Sequence, residues 1–121
     1  MRLLVCGSRD WKDYEAVRGQ IVLLGPSAVV HGGARGADRI AGQVAEALGI
    51  PAEVFPAQWR LHGLGAGYIR NRQMLVEGKP DYVLAFHDDL EHSKGTRNMI
   101  ARARVAGIPV EVWSHSKEGT K

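Results

Sequence analysis

Four stretches of the chain gather the residue types that hold anions. Gly7-Ser8-Arg9 combines a residue that turns freely, a hydroxyl with its amide, and a guanidinium fork suited to phosphate. The same three residues would also make an ordinary turn with a solvated arginine. His31-Gly32-Gly33-Ala34-Arg35-Gly36-Ala37-Asp38 is the most informative stretch, with three glycines in five positions. Its amides could cradle an anion at a helix N-terminus. It is neither a Walker loop nor G-x-G-x-x-G. Asp38 would repel a phosphate set directly on that helix end, so it is expected to cap the helix, orient Arg35, or accept from a sugar hydroxyl. Arg70-Asn71-Arg72 follows Gly63, Gly65 and Gly67; residues so spaced cannot all share a helix face, so Arg72 is expected to be solvated. Gly95-Thr96, just after Ser93, opens a second candidate helix end for an anion.

Other reactive types are less well placed. Trp59 and His62 sit in a long loop, where they could stack on a base or pack as a lid. His87, Asp88, Asp89, Glu91 and His92 crowd one polar loop without a metal-ligand spacing, so no metal is expected. Cys6, at a strand end, reads as a small core residue rather than a nucleophile. No Ser-His-Asp arrangement can be argued from spacing, and no motif calls for a cofactor.

The elements that must position these residues alternate. Apolar runs over 2–6, 28–31, 52–55, 81–86 and 109–113 predict strands. Helical periodicity predicts helices over 14–24, 37–48, about 67–77 and 96–106, with Gly49 and Gly107 as stops ahead of Pro51 and Pro109. Strict alternation of strand and helix predicts a parallel sheet, and Leu3–Cys6 and Tyr82–Phe86 are apolar on both faces, as covered parallel strands should be. The expected fold is an α/β, Rossmann-like three-layer sandwich with strand order 3-2-1-4-5, its ligand lying outside the carboxyl ends of the strands. The loop over 56–66 is long for a strand-to-helix link, which often marks function.

Bulk properties set the outer bounds. With 121 residues, 45% hydrophobic and 24% charged, the chain has room for one domain, expected over 1–113 with a frayed polar tail over 114–121. No apolar run approaches a membrane span, Gly7-Ser8-Arg9-Asp10 cuts short any signal-like start, and the lone Cys6 fits a reducing compartment, so a cytoplasmic protein is expected. A net charge of +3 permits an anionic partner without demanding one.

Taken together, GSR at 7–9, GGARGAD at 32–38, AGYIRNRQM at 66–74 and GT at 95–96 resemble the SLOG superfamily of Rossmann-like proteins over residues 2 to about 113. That group includes DprA/Smf, the lonely-guy (LOG) phosphoribohydrolases and the small stand-alone YspA-like proteins, which the single-domain form with W…AG..RN..M resembles most. The resemblance implies two different functions. Arg70-Asn71-Arg72 and Ala34–Asp38 are similar to the DprA region that binds single-stranded DNA. Against LOG enzymes, Arg70 falls on their arginine, but Met99 stands where their motif carries the catalytic acid. A methionine can neither move a proton nor stabilise an oxocarbenium ion, so phosphate binding survives the change and hydrolysis by that route does not.

Three functions follow as expectations. The first is a non-catalytic or weakly catalytic binder of a nucleotide or nucleotide-derived ligand, with phosphate contacts among Gly7, Ser8, Arg9, Gly32, Gly33, Arg35, Gly36, Asp38, Arg70, Asn71, Gly95 and Thr96. The second is a single-stranded nucleic-acid binder using Arg35, Arg70 and Arg72, with Trp59 stacking; the absence of an extended basic track argues against it. The third is a nucleotide N-glycosidase whose acid is Asp38, Asp88 or Glu91. The resemblance also implies a homo-oligomer.

Overall fold

The computed structural model describes residues 1–115, so all of the expected tail beyond His115 lies outside the described residues. The elements run β1 (Arg2–Gly7), α1 (Tyr14–Leu24), β2 (Ala28–His31), α2 (Ala37–Leu48), β3 (Ala52–Val54), α3 (Trp59–His62), α4 (Ala66–Gly78), β4 (Tyr82–Phe86), α5 (Lys94–Val105) and β5 (Val110–Trp113). Short 3-10 turns at Gly63–Gly65 and Leu90–His92 precede α4 and α5.

The described strands form one parallel sheet in the order β3-β2-β1-β4-β5. β1 lies at its centre, pairing Leu3–Gly7 with Tyr82–Phe86 of β4 and Arg2–Leu4 with Ala28–Val30 of β2. This is the Rossmann-like α/β fold that the alternation of elements predicts.

Period-two alternation of side chains builds a core on each face of the sheet. Leu3, Val5, Val29, Leu84 and Phe86 face one way, onto Val17 and Ile21 of α1 and Ala41 and Val44 of α2. Leu4, Cys6, Val30, Val83 and Ala85 face the other, onto Met74 of α4 and Met99, Ile100 and Ala103 of α5. The central strands are therefore apolar throughout, whereas β3 is an exposed three-residue edge strand.

Local chemistry sets the helix ends. Asp13 accepts from the Ala16 amide (3.0 Å) to start α1, and Gly25 closes it in the left-handed conformation. Ser93 Oγ accepts from the Thr96 amide (3.2 Å), so α5 starts at Lys94, two residues before its periodicity becomes visible. The long loop after β3 is not structureless, since α3 and a 3-10 turn fill most of it. Ser114 and His115 are not frayed either: both bond to Asp88, and His115 stacks on Trp11 with ring centroids 4.5 Å apart.

Candidate functional site

The cleft lies at the carboxyl ends of β1 and β4. It encloses about 510 Å³, walled by the Gly7–Trp11 loop, the Arg70-Asn71 turn of α4, the 87–93 loop and the first turn of α5. Met74 and Met99, both buried, form part of its floor. Gly7 is required here because a Cβ would stand 2.1 Å from the Phe86 carbonyl oxygen of the neighbouring strand. The Ser8 amide donates to that same carbonyl (2.8 Å), and the Ser8 hydroxyl accepts from the Asp10 amide (2.9 Å). This fixed turn leaves Arg9 exposed on the rim, its guanidinium 5.9 Å from the Trp59 ring centroid and without a hydrogen-bond acceptor among the described residues.

The glycine-rich loop after β2 is filled from within. Asp38, only 5% exposed, turns back and accepts from the amides of Gly32 (3.0 Å) and Ala34 (3.3 Å) through Oδ2. His31 Nδ1 accepts from the Gly33 amide (3.0 Å), and the Ala37 amide donates to Ser8 O (3.1 Å). Four of the amides expected to cradle a phosphate are thus already engaged, and the anion in the nest is the protein's own carboxylate. Asp38 orients no part of Arg35. Its cationic neighbour is Arg70, which opposes the effect of burial; burial is the larger, and the Asp38 carboxyl is pushed up to about 6.

Arg70 and Asn71 brace the cleft. Arg70 Nη1 donates to Gly32 O (2.8 Å) and Nε to Asn71 Oδ1 (3.2 Å). Buried Asn71 in turn donates to Gly95 O (3.1 Å) and Asn98 Oδ1 (3.2 Å), fixing the first turn of α5 against α4. Ser93 takes up the Thr96 amide, while the Gly95 amide at the cleft wall has no protein acceptor among the described residues, as the first turn of a helix dictates.

The remaining expected site residues part company. Arg35 turns outward, donating through Nε to Arg9 O (3.1 Å) and lying 3.4 Å from Asp10. Arg72 and His62 line a groove beside α4 that adjoins the cleft at Arg70 and do not line the cleft itself. Trp59 is 47% exposed, too open to be a core lid, and walls a smaller cavity adjoining the cleft. Cys6 is buried, and burial pushes its thiol far above the ordinary range, so it is held as the neutral thiol. Among the described residues no three His, Cys, Asp or Glu side chains converge as metal ligands.

With this geometry in place, comparison with known proteins fixes the lineage. Residues 1–62 match the model of the YspA, cpYpsA-related SLOG family. The chain belongs to that family. It is similar to the Gene 61 protein of Mycobacterium phage D29, at 42% identity over 123 residues, covering 90% of this chain and 93% of that protein. Its fold is similar to that of UDP-GlcNAc 2-epimerase from Neisseria meningitidis, solved bound to UDP-GlcNAc, with a TM-score of 0.58 and 20% identity. That match covers 93% of this chain but only 32% of the epimerase, so the chain spans about a third of that enzyme's length.

Two residues of this SLOG chain matter to the cleft and were not singled out by the motifs. His31 is buried beneath α2, where Gly42 is needed because a Cβ would come within 2.8 Å of its Nε2, and it holds the glycine loop through Gly33. His87 lines the cleft with Nδ1 accepting from the Asp89 amide (2.9 Å), and burial lowers its pKa. A neutral His87 therefore carries its proton on Nε2 as a donor. In the sequence His87 is one of five polar residues between 87 and 92, distinguished from the others only by following the end of β4 directly. Among the described residues no helix is long and apolar enough to cross a membrane.

Proposed function

We propose that this SLOG protein binds a phosphate-bearing nucleotide or nucleotide-derived ligand in the cleft at the carboxyl ends of β1 and β4, without LOG-type hydrolysis. One observation carries the reading: Arg9 and Gly95 line the same cleft, and neither the Arg9 guanidinium nor the Gly95 amide has an acceptor of its own among the described residues. A fork cation and a helix-end amide on one cavity are the two groups that recognise a phosphate. Met99, 1% exposed on the floor, offers no proton to a glycosidic bond. The nucleic-acid reading has less support, because Arg35 is already committed to Arg9 O and Asp10 and Arg70 to Gly32 O, while Arg72 lies in a neighbouring groove that adjoins theirs at Arg70.

The test is titration calorimetry with nucleoside mono- and triphosphates of each base. Arg9→Ala is expected to weaken binding by about 10–100-fold, the value of a charge-assisted contact of ~1.5–3 kcal/mol. Unaltered affinity in that variant, or no binding of any nucleotide by the wild type, would sink the assignment.

One observation favours a second, catalytic reading. Of Asp38, Asp88 and Glu91, Asp38 alone is both buried at the cleft and raised toward neutrality, as a general acid would be; for Asp88 desolvation is the largest single influence and raises it, but its hydrogen bonds to His115 and Ser114 together hold it low, and Glu91 does not line the cleft. Chromatography after incubation with nucleoside monophosphates separates the readings. No base release near the ordinary enzymatic range of ~1–10³ per second is expected; release abolished by Asp38→Asn would replace binding with hydrolysis.

A further inference from the structure

Beside the cleft is a second cavity of about 270 Å³ whose lining includes Arg9, Arg35, Arg39, Arg70 and Trp59, and no acidic residue. It shares Arg9, Ala34 and Arg70 with the cleft, so the two spaces adjoin across those side chains. Three of its arginines are anchored by backbone carbonyls: Arg35 on Arg9 O (3.1 Å), Arg39 on Gly33 O (3.4 Å) and Arg70 on Gly32 O (2.8 Å). A carbonyl takes up one N–H and orients the fork, but it neutralises no charge. Arg39 has no carboxylate partner among the described residues, and Arg9 has only the face of Trp59. Asp10 partly offsets Arg35 and Asp38 partly offsets Arg70, so Arg9 and Arg39 are the two cations at this cavity whose repulsion an entering anion would relieve.

We propose that this cavity is a second phosphate subsite, and that the ligand is a nucleotide carrying at least two phosphates. The inference rests on the nucleotide reading above and specifies its ligand. One phosphate meets Gly95 and Arg9 in the cleft; the other passes Arg9 into the space between Arg39, Arg70 and Trp59. Two phosphates could be joined in a chain, as in a nucleoside diphosphate, or carried at separate positions, as in a nucleoside 3′,5′-bisphosphate.

The experiment measures affinities of the full-length protein for AMP, ADP, ATP and adenosine 3′,5′-bisphosphate, with the corresponding guanosine, cytidine and uridine series. A two-phosphate ligand is expected to bind at least about tenfold tighter than the monophosphate of the same base. Which of ADP and the bisphosphate gains more identifies the arrangement. Arg39 is exposed and its anchoring bond is long, so Arg39→Ala leaves the fold intact. That variant is expected to cut the ratio of two-phosphate to monophosphate affinity about tenfold, whereas Arg104→Ala, on the far end of α5, leaves the ratio unchanged. Equal affinities for mono- and diphosphates, with monophosphates bound, would overturn the second subsite and spare the nucleotide reading. So would a ratio insensitive to Arg39→Ala or equally sensitive to Arg104→Ala, the mark of bulk charge. No binding of any nucleotide would remove both.

Discussion

The β2–α2 loop and the entry to α5 both point helix N-termini toward the carboxyl edge of the sheet, yet they meet charge in opposite ways. The first is dense in glycine and closed: Asp38 occupies its amides, Arg70 Nη1 stands 2.1 Å from where a Gly32 Cβ would be, and Ser8 O lies 2.2 Å from a Gly36 Cβ. The second holds one glycine and is open, with nothing within 4 Å of a Gly95 Cβ. Glycine density here records how closely the protein's own groups approach the main chain. An available amide records where a ligand can go. The loop that most resembles a phosphate cradle is the brace, and the plainer helix end faces the cleft.

Removing the internal anion should break this contrast most severely. Asp38→Ala leaves two loop amides without their acceptor and the part-buried Arg70 without its neighbouring carboxylate, a loss of about 1–3 kcal/mol for each orphaned amide. Thermal unfolding checks it, and stability close to wild type would show that the nest is not held by Asp38. The sign of the pH dependence follows from burial. The Asp38 carboxyl stands at about 6 in the fold against 3.8 in an unfolded chain, so the folded state holds the proton more tightly. Its contribution is complete below about pH 4 and is lost as pH rises through about 6. Asp38→Asn should lack that decline, and a decline of the same size in both proteins would assign it to another group.

Substituting the glycines sharpens the same contrast. Gly36→Ala places a methyl against Ser8 O at a φ of +86° and should destabilise by about 2–4 kcal/mol. Gly95→Ala meets open space in the first turn of a helix and should be neutral or slightly stabilising, by up to ~1 kcal/mol. Denaturant midpoints compare the two directly, and equal losses would mean the two loops are packed alike.

The sheet order and helix spans were legible because periodicity reports burial, and burial decides strand and helix faces. Leu3, Val5, Leu4 and Cys6 alternate between the two cores as their spacing requires. The loops were legible in position and not in direction. Arg9 and Arg35 look equivalent in sequence, yet Arg35 is drawn to Arg9 O and Asp10 while Arg9 stays on the cleft rim. Asp38 was recognised as awkward for a phosphate, but that it reaches back to Gly32 depends on the loop's return path, which no spacing specifies. His115 was hidden for a related reason: its partners Asp13 and Asp88 are 102 and 27 residues away.

The smallest effect is expected at that histidine. His115 joins Asp13 (2.8 Å) to Asp88 (2.9 Å) and stacks on Trp11, while Asp88 and Trp11 line the cleft. Bonds first to Asp13 and then to Asp88 raise the His115 pKa to about 9, while the hydrogen bond to His115 is the leading cause that lowers Asp13. A histidine raised in the fold stabilises fully below its unfolded value of 6.5 and loses that contribution as pH rises through about 9. The two aspartates lose theirs in acid, as pH falls below the ordinary carboxylate value of 3.8. The melting-temperature gap between wild type and His115→Ala should therefore be widest from just above that carboxylate value to about pH 6.5 and close toward pH 9. The groups are exposed, so salt should narrow the gap as well. His115→Phe keeps the stack on Trp11 without the charge and separates the two contributions. A gap that is flat with pH and restored by His115→Phe would leave ring stacking, and not the carboxylates, as what holds the segment after β5 at the cleft.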